Sequence, residues 1–498
     1  QKKNIQDIFF LTFILLSTLM PRLGAIDNNA IRWFTVSIFS LVYLFNLIRL
    51  GRFKLLVIKD HIIFTGLLFI YLLLSVFISK NNIEGFVTLY KIITLIIVYF
   101  ISYDILKKSN SLITVCVIFS ISVLIESFVI LIQFFSSYEW MVGVASNPNI
   151  SSSSLIFKLP FVIFLFQNEK NKSYKFLLKI IEMISIIGII ILGSRLGFIS
   201  LFIIYFLYFL WYKKNRLAQV FSIIIIIAVS FFINNSRSTN GEILNYPLTE
   251  TLATDESLNQ RLNFYKKALN LSFKKPLFGY GLGSWKYESL PYEEGKSEDL
   301  LVPYYTHNDF LQTFFELGLI GLFGYLVILM TLLKKIIHTD AQFKGVLIIT
   351  FIIFLLNSLL NFPLHRSQEI IPFIIVVSLI FCSNNKGNEK RLRLSSLIII
   401  SAIIPVLVLS FLEHSSLKVQ GKLFSDYNLN TYSFNKNEID NINYYIPNLS
   451  ANGVPISTYV SRYYFENKDY NRSLSLLESS SKANYKDLMT QELLLKNY

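Results

Sequence analysis

Along most of this chain, stretches of about twenty apolar residues recur, each divided from the next by a short polar segment. A helix needs about 20 mostly apolar residues to cross a bilayer. Lipid offers no hydrogen bonds, so only helices or closed barrels can satisfy their backbones there. Runs of this length predict helices, at 8–24, 31–48, 61–79, 85–106, 111–136, 152–167, 174–193, 195–212, 218–234, 309–333, 343–361, 368–383 and 394–412. The first run has no small-residue cleavage site and further runs follow it, so it is expected to be a helix rather than a signal peptide. Only 16% of residues are charged, against about 25% in an ordinary soluble domain. A soluble enzyme, a disordered chain and a fibrous repeat are thereby excluded. The expected fold class is all-α, a polytopic membrane bundle of about 12–13 transmembrane helices.

The net charge of +14 would suit a nucleic-acid partner, but such a partner needs the charge clustered on a soluble face. Here it lies in the short segments between runs, so no nucleic acid is expected. With the N-terminus cytoplasmic, the inside loops hold Arg49, Arg52, Lys54 and Lys59; Lys107 and Lys108; Lys170, Lys172, Lys175 and Lys179; Lys213, Lys214 and Arg216; Lys334, Lys335 and Lys344; and Lys386, Lys390, Arg391 and Arg393. The short outside loops hold only Arg22, Arg32, Lys80, Arg195 and Arg366. That asymmetry fixes the orientation. Two long segments then fall outside: the loop 235–308 within a transmembrane domain 1–412, and a polar C-terminal segment 413–498. In the latter, 456–466, 469–481 and 484–496 read as short amphipathic helices, of which the first pair looks like one tetratricopeptide-type repeat. A single repeat cannot bury its own face, so it should pack on a neighbour or begin an array. Cys116 and Cys382 both sit inside apolar runs and form no disulfide framework or metal-ligand spacing.

The remaining information is in polar residues placed where lipid or an outer surface is expected. Arg195 lies in Gly193-Ser194-Arg195-Leu196-Gly197, between two runs. It is either an interfacial snorkelling arginine or a guanidinium with room for a phosphate. Leu258, Leu262, Tyr265 and Leu269 mark an amphipathic helix over 258–273 that carries Arg261 and leads to the glycine-rich 278–285. That stretch reads as a turn, since no strand precedes it as a dinucleotide fingerprint requires. Thr306 with Asp309 fits a capping box, which would put His307 in the first helical turn, where the helix dipole disfavours an imidazolium. Asp309, Gln312 and Glu316 follow as a polar stripe on that span. The stripe either faces a cavity or pairs with neighbouring helices. Asn147-Pro148-Asn149 and His365-Arg366 are two further outside features; turn chemistry explains their prolines and asparagines but not the His-Arg pair.

The tract His307-Asn308…Leu311…Glu316-x-Gly318-x-x-Gly321, preceded in order by Asn147-Pro148-Asn149, Ser194-Arg195-x-Gly197, and Arg261 leading to Pro276-Leu277-Phe278-Gly279-Tyr280-Gly281-x-Gly283, resembles the bacterial O-antigen ligase and polymerase superfamily. The resemblance covers about 140–370. It implies a membrane glycosyltransferase that moves a preassembled glycan from a polyprenyl-pyrophosphate donor to an acceptor hydroxyl on the periplasmic face of the inner membrane, without a metal or other cofactor. It implies arginines on the pyrophosphate and a histidine on the acceptor. Carried over, these roles fall on Arg195, Arg261 and His307, with Asn147, Asn149, Asn308, Glu316, His365 and Arg366 expected to bind substrate. The acceptor stays open among a lipid A core, a protein and a growing glycan. The helical C-terminal segment is more like the protein-directed oligosaccharyltransferases of the superfamily.

The residues allow that chemistry. Two arginines can neutralise a pyrophosphate leaving group, and no Asp-x-Asp metal site is evident outside. Of five histidines, His61 and His338 fall near inside ends and His414 follows the last span, leaving His307 and His365. The rival class is a lipid-linked glycan transporter, which would more typically show internal repeats and midplane charge. No repeat is seen, though Lys91, Glu126 and Glu182 are midspan exceptions. Orientation is directly testable. Cysteines replacing Asn240 and Asn430 should react with an impermeant thiol reagent on spheroplasts, and one replacing Asn388 should not. Labelling of position 388 alone would invert the topology.

Overall fold

The computed structural model describes residues 2–49, 55–109, 111–136, 141–212, 222, 224, 256–289, 304–384, 389–392 and 396–497. The chain folds into helices α1 (Lys2–Ser17), α2 (Asn29–Arg49), α3 (Lys59–Ile78), α4 (Asn82–Lys107), α5 (Ser111–Phe135), α6 (Pro148–Asn168), α7 (Lys172–Leu192) and α8 (Arg195–Trp211). They are followed by α9 (Glu256–Ser272), α10 (Trp285–Glu288), α11 (Asp309–Ile337), α12 (Ala341–Leu360), a 3₁₀ turn (Pro363–His365), α13 (Ser367–Asn384) and α14 (Ser396–Asn428). Four short helices close the chain: α15 (Lys436–Asp440), α16 (Ile456–Glu466), α17 (Tyr470–Ala483) and α18 (Leu488–Asn497). Strands β1 (Leu55–Ile58) and β2 (Glu389–Leu392) form one antiparallel ribbon, Leu55 opposite Leu392.

This is an all-α polytopic membrane protein. Among the described residues, seven helices are long and apolar enough to cross a membrane: α2, α4, α5, α6, α11, α12 and α13. Every other expected span coincides with a helix too, except that expected at 218–234, which apart from Ser222 and Ile224 lies outside the described residues. α14 runs unbroken from Ser396 through residue 412 to Asn428.

Local chemistry places the helix ends. Gly193 takes a left-handed conformation that stops α7, and the Ser194 hydroxyl accepts from the Gly197 N–H (3.3 Å) to start α8, so Arg195 is the first residue of that helix. Asn147 caps α6 by accepting from Asn149 N (2.9 Å) and Ile150 N (3.2 Å), with Pro148 in the first turn. Buried charges are paired. Lys158 bonds Glu126 and also the Ser122 and Ser154 hydroxyls. Lys91 meets Glu413 at 2.8 Å, and Glu182 accepts from Lys179 (3.0 Å) and Tyr205 (2.7 Å). Arg32 is buried in α2, where it donates to the Met20 and Val144 carbonyls and to Gln368.

The C-terminal helices pack on the extension of α14. Leu423, Ile439, Ile456, Tyr459, Val460, Tyr463 and Leu476 form their core. The assembly is fastened to the bundle by the amides of Asn81 and Asn448, which bond each other in both directions (2.9 and 3.2 Å), and by Glu288, which receives both Lys486 (2.8 Å) and Tyr485 (3.0 Å).

α11 departs from an ordinary span. At Gly318 the backbone leaves helical geometry (φ 65°, ψ −167°) and the helix breaks. The glycine-rich loop lies in the break. Tyr280 N donates to Phe315 O (2.9 Å), Gly281 N to Glu316 O (2.9 Å) and Leu319 N to Pro276 O (2.7 Å), while the Tyr71 hydroxyl takes the Leu317 carbonyl. The loop therefore replaces the hydrogen bonds that the break removes, which is what allows non-helical backbone beside lipid. The expected simple turn is thus an inserted segment. Residues 319–337 alone span roughly 28 Å at 1.5 Å per residue, close to the hydrocarbon thickness of about 30 Å. The polar stripe of Asp309, Gln312 and Glu316 accordingly belongs to a separate short helix above the break rather than to the middle of a span.

A side chain at Gly318 would need a left-handed backbone and would put its Cβ 2.2 Å from the Leu277 carbonyl oxygen. Gly318→Ala should therefore destabilise by at least about 1–3 kcal/mol, read as a lowered unfolding temperature in tryptophan fluorescence of the solubilised protein. Gly324→Ala, with nothing within 4 Å of its Cβ, should leave that temperature unchanged or slightly raised.

Candidate functional site

The end of the bundle that carries α9, residues 304–308 and the 3₁₀ turn gathers most of the residues singled out by sequence. α9 rests on α11 through Ala268, Phe264 and Leu271, which pack against Phe315, Trp285 and Leu311. Its opposite side leaves Leu262 and Leu269 exposed, continuing into exposed Phe273, Leu277 and Phe278. The helix thus has two apolar edges, one used in packing and one open.

The last carbonyls of a helix have no intrahelical partner and carry partial negative charge. Those of α12 are met by donors from two directions: Arg261 Nη1 donates to Leu360 O (3.0 Å) and the Asn308 amide to Leu359 O (3.1 Å). The Tyr265 hydroxyl donates to the His307 carbonyl (2.8 Å), tying α9 to the start of α11. Asn308, not Thr306, is the cap of α11, accepting from Leu311 N (3.0 Å). Thr306 instead braces the approach: its hydroxyl accepts from Asn308 N (3.1 Å) and its own N–H donates to Gln312 (3.1 Å). His307 therefore lies before the helix, at φ 58°, a left-handed conformation in which His is over-represented among non-glycine residues.

The expectation that the helix dipole keeps His307 neutral is thus overturned in its cause. Burial comes first, and the charges of Arg261 and Arg366 add to it, drawing the imidazole down to about 4. The ring lies between Phe264 (6.3 Å, nearly parallel) and the edge of Phe362 (4.8 Å). Its Nδ1 is buried and has no hydrogen-bond partner among the described residues. Arg261 in turn is lowered by burial and by the neighbouring charge of Arg195, which is exposed at the head of α8. Arg366 pairs with Asp27 (3.2 Å) and lies over Tyr305 and Phe362. Arg261 and Arg366 thus set a positive field at His307, Arg195 adds its charge beside Arg261, and Asn308 follows the histidine in the chain.

Other expected residues are placed differently. Asn147 and Asn149 are committed to the cap of α6, though that turn reaches the site by packing Ala145 and Ile150 on Phe362. Glu316 accepts from Gly283 N (2.9 Å) and Gln312 (3.2 Å), and Asp309 accepts from Leu364 N (3.2 Å), so the stripe pairs with neighbouring segments. His365 is separated from His307 by aromatic rings: Tyr305 stacks on it at 4.6 Å and on Phe362 at 4.6 Å. Burial, then Lys91 and Arg366, draws His365 down to about 3. The sequence reading had not singled out Tyr305, Phe362 or Phe264. Their signal was there, as aromatic residues directly flanking the His-Asn and Pro-Leu-His tracts. Among the described residues, no group of three or more His, Cys, Asp or Glu side chains is placed to hold a metal ion.

With this geometry in place, comparison with known proteins is informative. Residues 180–326, from α7 through the first half of α11 and just past its break, match the family model described as "O-Antigen ligase". A Rickettsia conorii protein named "Putative polysaccharide ligase RC0486" is 32% identical over 122 residues, which is 23% of this chain and 29% of that protein. The resemblance to the O-antigen ligase superfamily is borne out over the segment that holds Arg195, Arg261 and His307.

The site makes a testable statement about ionisation. The His307 ring should stay neutral from pH 8 down to about 5, seen as a flat ring-proton resonance in NMR titration. Arg261→Ala removes one of the charges that hold the ring neutral. It should raise the His307 pKa toward the usual 6.5 and bring the titration into that range.

Proposed function

We propose that the protein transfers a preassembled glycan from a polyprenyl-pyrophosphate donor to an acceptor hydroxyl at the periplasmic face of a bacterial inner membrane. The reading rests on one observation: Arg261 and Arg366 act on a buried histidine whose Nδ1 has no partner among the described residues, and Arg195 lies within reach of Arg261. A planar guanidinium matches phosphate oxygens bidentately. Arg195 and Arg261 are assigned to the donor pyrophosphate, with Arg366, anchored by Asp27, adding field from the other side.

In the reaction the acceptor oxygen bonds to the anomeric carbon. The bond from that carbon to the pyrophosphate oxygen breaks, and the lipid pyrophosphate departs with the electron pair. The acceptor proton goes to His307. A ring held near 4 is a weak base, but the cause is partly the same arginine charge that the donor neutralises. A pyrophosphate between them raises the ring's proton affinity, so donor binding prepares the base. No metal is assigned, because the arginines already supply the charge neutralisation. An O-antigen ligase-like reading, with a lipid A core as acceptor, follows the matched family. A protein or a second glycan-lipid as acceptor would leave the donor chemistry unchanged.

The test is purified protein with a defined lipid-linked glycan and three separate acceptors: a lipid A core, a protein and a second glycan-lipid. Transfer to the lipid A core, undiminished by EDTA, is the expected result. Arg261→Lys retains a donor for Leu360 O but not the planar fork, and should lose donor affinity while staying folded. His307→Ala should lower single-turnover transfer by about 10²–10⁴-fold with donor affinity kept, and His365→Ala should be milder. Loss of donor binding in His307→Ala would make that residue a pyrophosphate ligand instead.

A further inference from the structure

A cavity of about 60 Å³ opens at the seam between the bundle and the C-terminal segment. α4 contributes Glu84 and Lys91, α10 contributes Lys286, and Tyr304 comes from the segment before α11. α14 supplies Glu413, and Leu449 closes the side formed by the C-terminal segment. His365, Tyr305 and Glu316, all near the candidate site, line its inner wall.

Its charges are matched in pairs: Lys91 with Glu413 (2.8 Å) and Lys286 with Glu84 (3.1 Å). Glu316 is held by Gly283 N and Gln312. With both ammonium groups already paired, the seam offers a polyanion no free cation of its own among the described residues. What suits the seam is an uncharged ligand rich in hydroxyls. Carboxylates accept from hydroxyls, and the Tyr304 and Tyr305 hydroxyls have no hydrogen-bond partner among the described residues. Pockets that combine a few convergent polar groups with aromatic walls are the usual form of small-molecule sites. The volume equals roughly four water-sized positions, enough for the hydroxyl-bearing edge of one sugar residue and not for a chain. Tyr305 lies between this cavity and His307, since it stacks on His365 here and on Phe362, which meets His307, on the other side.

We propose that this seam cavity seats the edge of an uncharged sugar residue of the acceptor, next to the one that carries the reacting hydroxyl, with the C-terminal segment forming one wall. The proposal rests on the glycan-transfer reading.

Saturation-transfer NMR on the full chain in nanodiscs tests it, using methyl glycosides of neutral hexoses, the corresponding hexose 6-phosphates and a serine-containing peptide as probes. The neutral glycosides should receive saturation and the other two should not. Tyr304→Ala should weaken glycoside binding roughly tenfold, and the gentler Tyr304→Phe severalfold through loss of one hydroxyl. Equal binding to wild type and both variants, or preference for the phosphates or the peptide, overturns the proposal. Binding of a polyprenyl pyrophosphate to the same nanodiscs is measured in parallel. Donor binding without glycoside binding removes the seam site alone. Glycoside binding without donor binding removes the transfer reading and leaves a sugar site.

Discussion

The break in α11 is held by backbone hydrogen bonds across it, and the candidate site depends on them. Without the loop 276–283 in the gap, the Phe315 and Glu316 carbonyls would lose partners at the edge of the lipid, where an unsatisfied group costs several kcal/mol. With it, α9 is positioned by a short, rigid connection, because the same loop follows directly from Ser272. Arg261 owes its place at the end of α12 to that connection. His307 owes its place to the cap at Asn308, which starts the half-helix on the near side of the break. Close contact is the reason for glycine here: a Cβ at Gly281 would lie 2.4 Å from the Ser79 backbone nitrogen.

Charge inside the bundle bears on the rival transporter reading. A translocation path needs ionisable groups that face a cavity and exchange partners. Glu126 and Glu182 are instead neutralised within the bundle, by Lys158 and Lys179, and Lys91 meets Glu413 near its end. At His307, by contrast, Arg261 and Arg366 both act on one buried ring at the end of the bundle that carries α9. That distribution suits chemistry at a surface rather than passage through a core.

Much of the fold was legible because hydropathy is a local quantity. Most of the spans, the amphipathic α9 and the short helices of the C-terminal segment lie close to where periodicity put them, while the span expected at 218–234 lies outside the described residues apart from Ser222 and Ile224. What periodicity could not show was pairing at a distance. Lys158 passed unnoticed in a serine-rich run because the carboxylate that neutralises it lies thirty-two residues earlier. The break at Gly318 was invisible for a related reason: an apolar window reads the same on both sides of a kink, and the segment that fills it comes from forty residues upstream. At His307 two capping residues, Thr306 and Asn308, stand two positions apart. Local pattern could not choose between them, because the choice depends on which backbone groups α12 presents. Arg195, Arg261 and His307 were found through the order of their motifs, and their proximity required the fold.

A helix broken near one membrane surface also has a mechanical consequence. The lower part of α11 matches the bilayer core in length, and a helix whose apolar length differs from the surrounding lipid tilts to compensate. An unbroken span would carry such tilt straight to its end. Here the upper half-helix is attached to the lower one through Gly318 and through the loop bonded to both. Any change in tilt reaches Asn308 and His307 only as a bend at that joint, and it pulls at the same time on the segment leading back to Arg261. Bilayer thickness and the spacing between the two chemical groups are therefore linked. The lipid around the protein becomes part of what tunes the site.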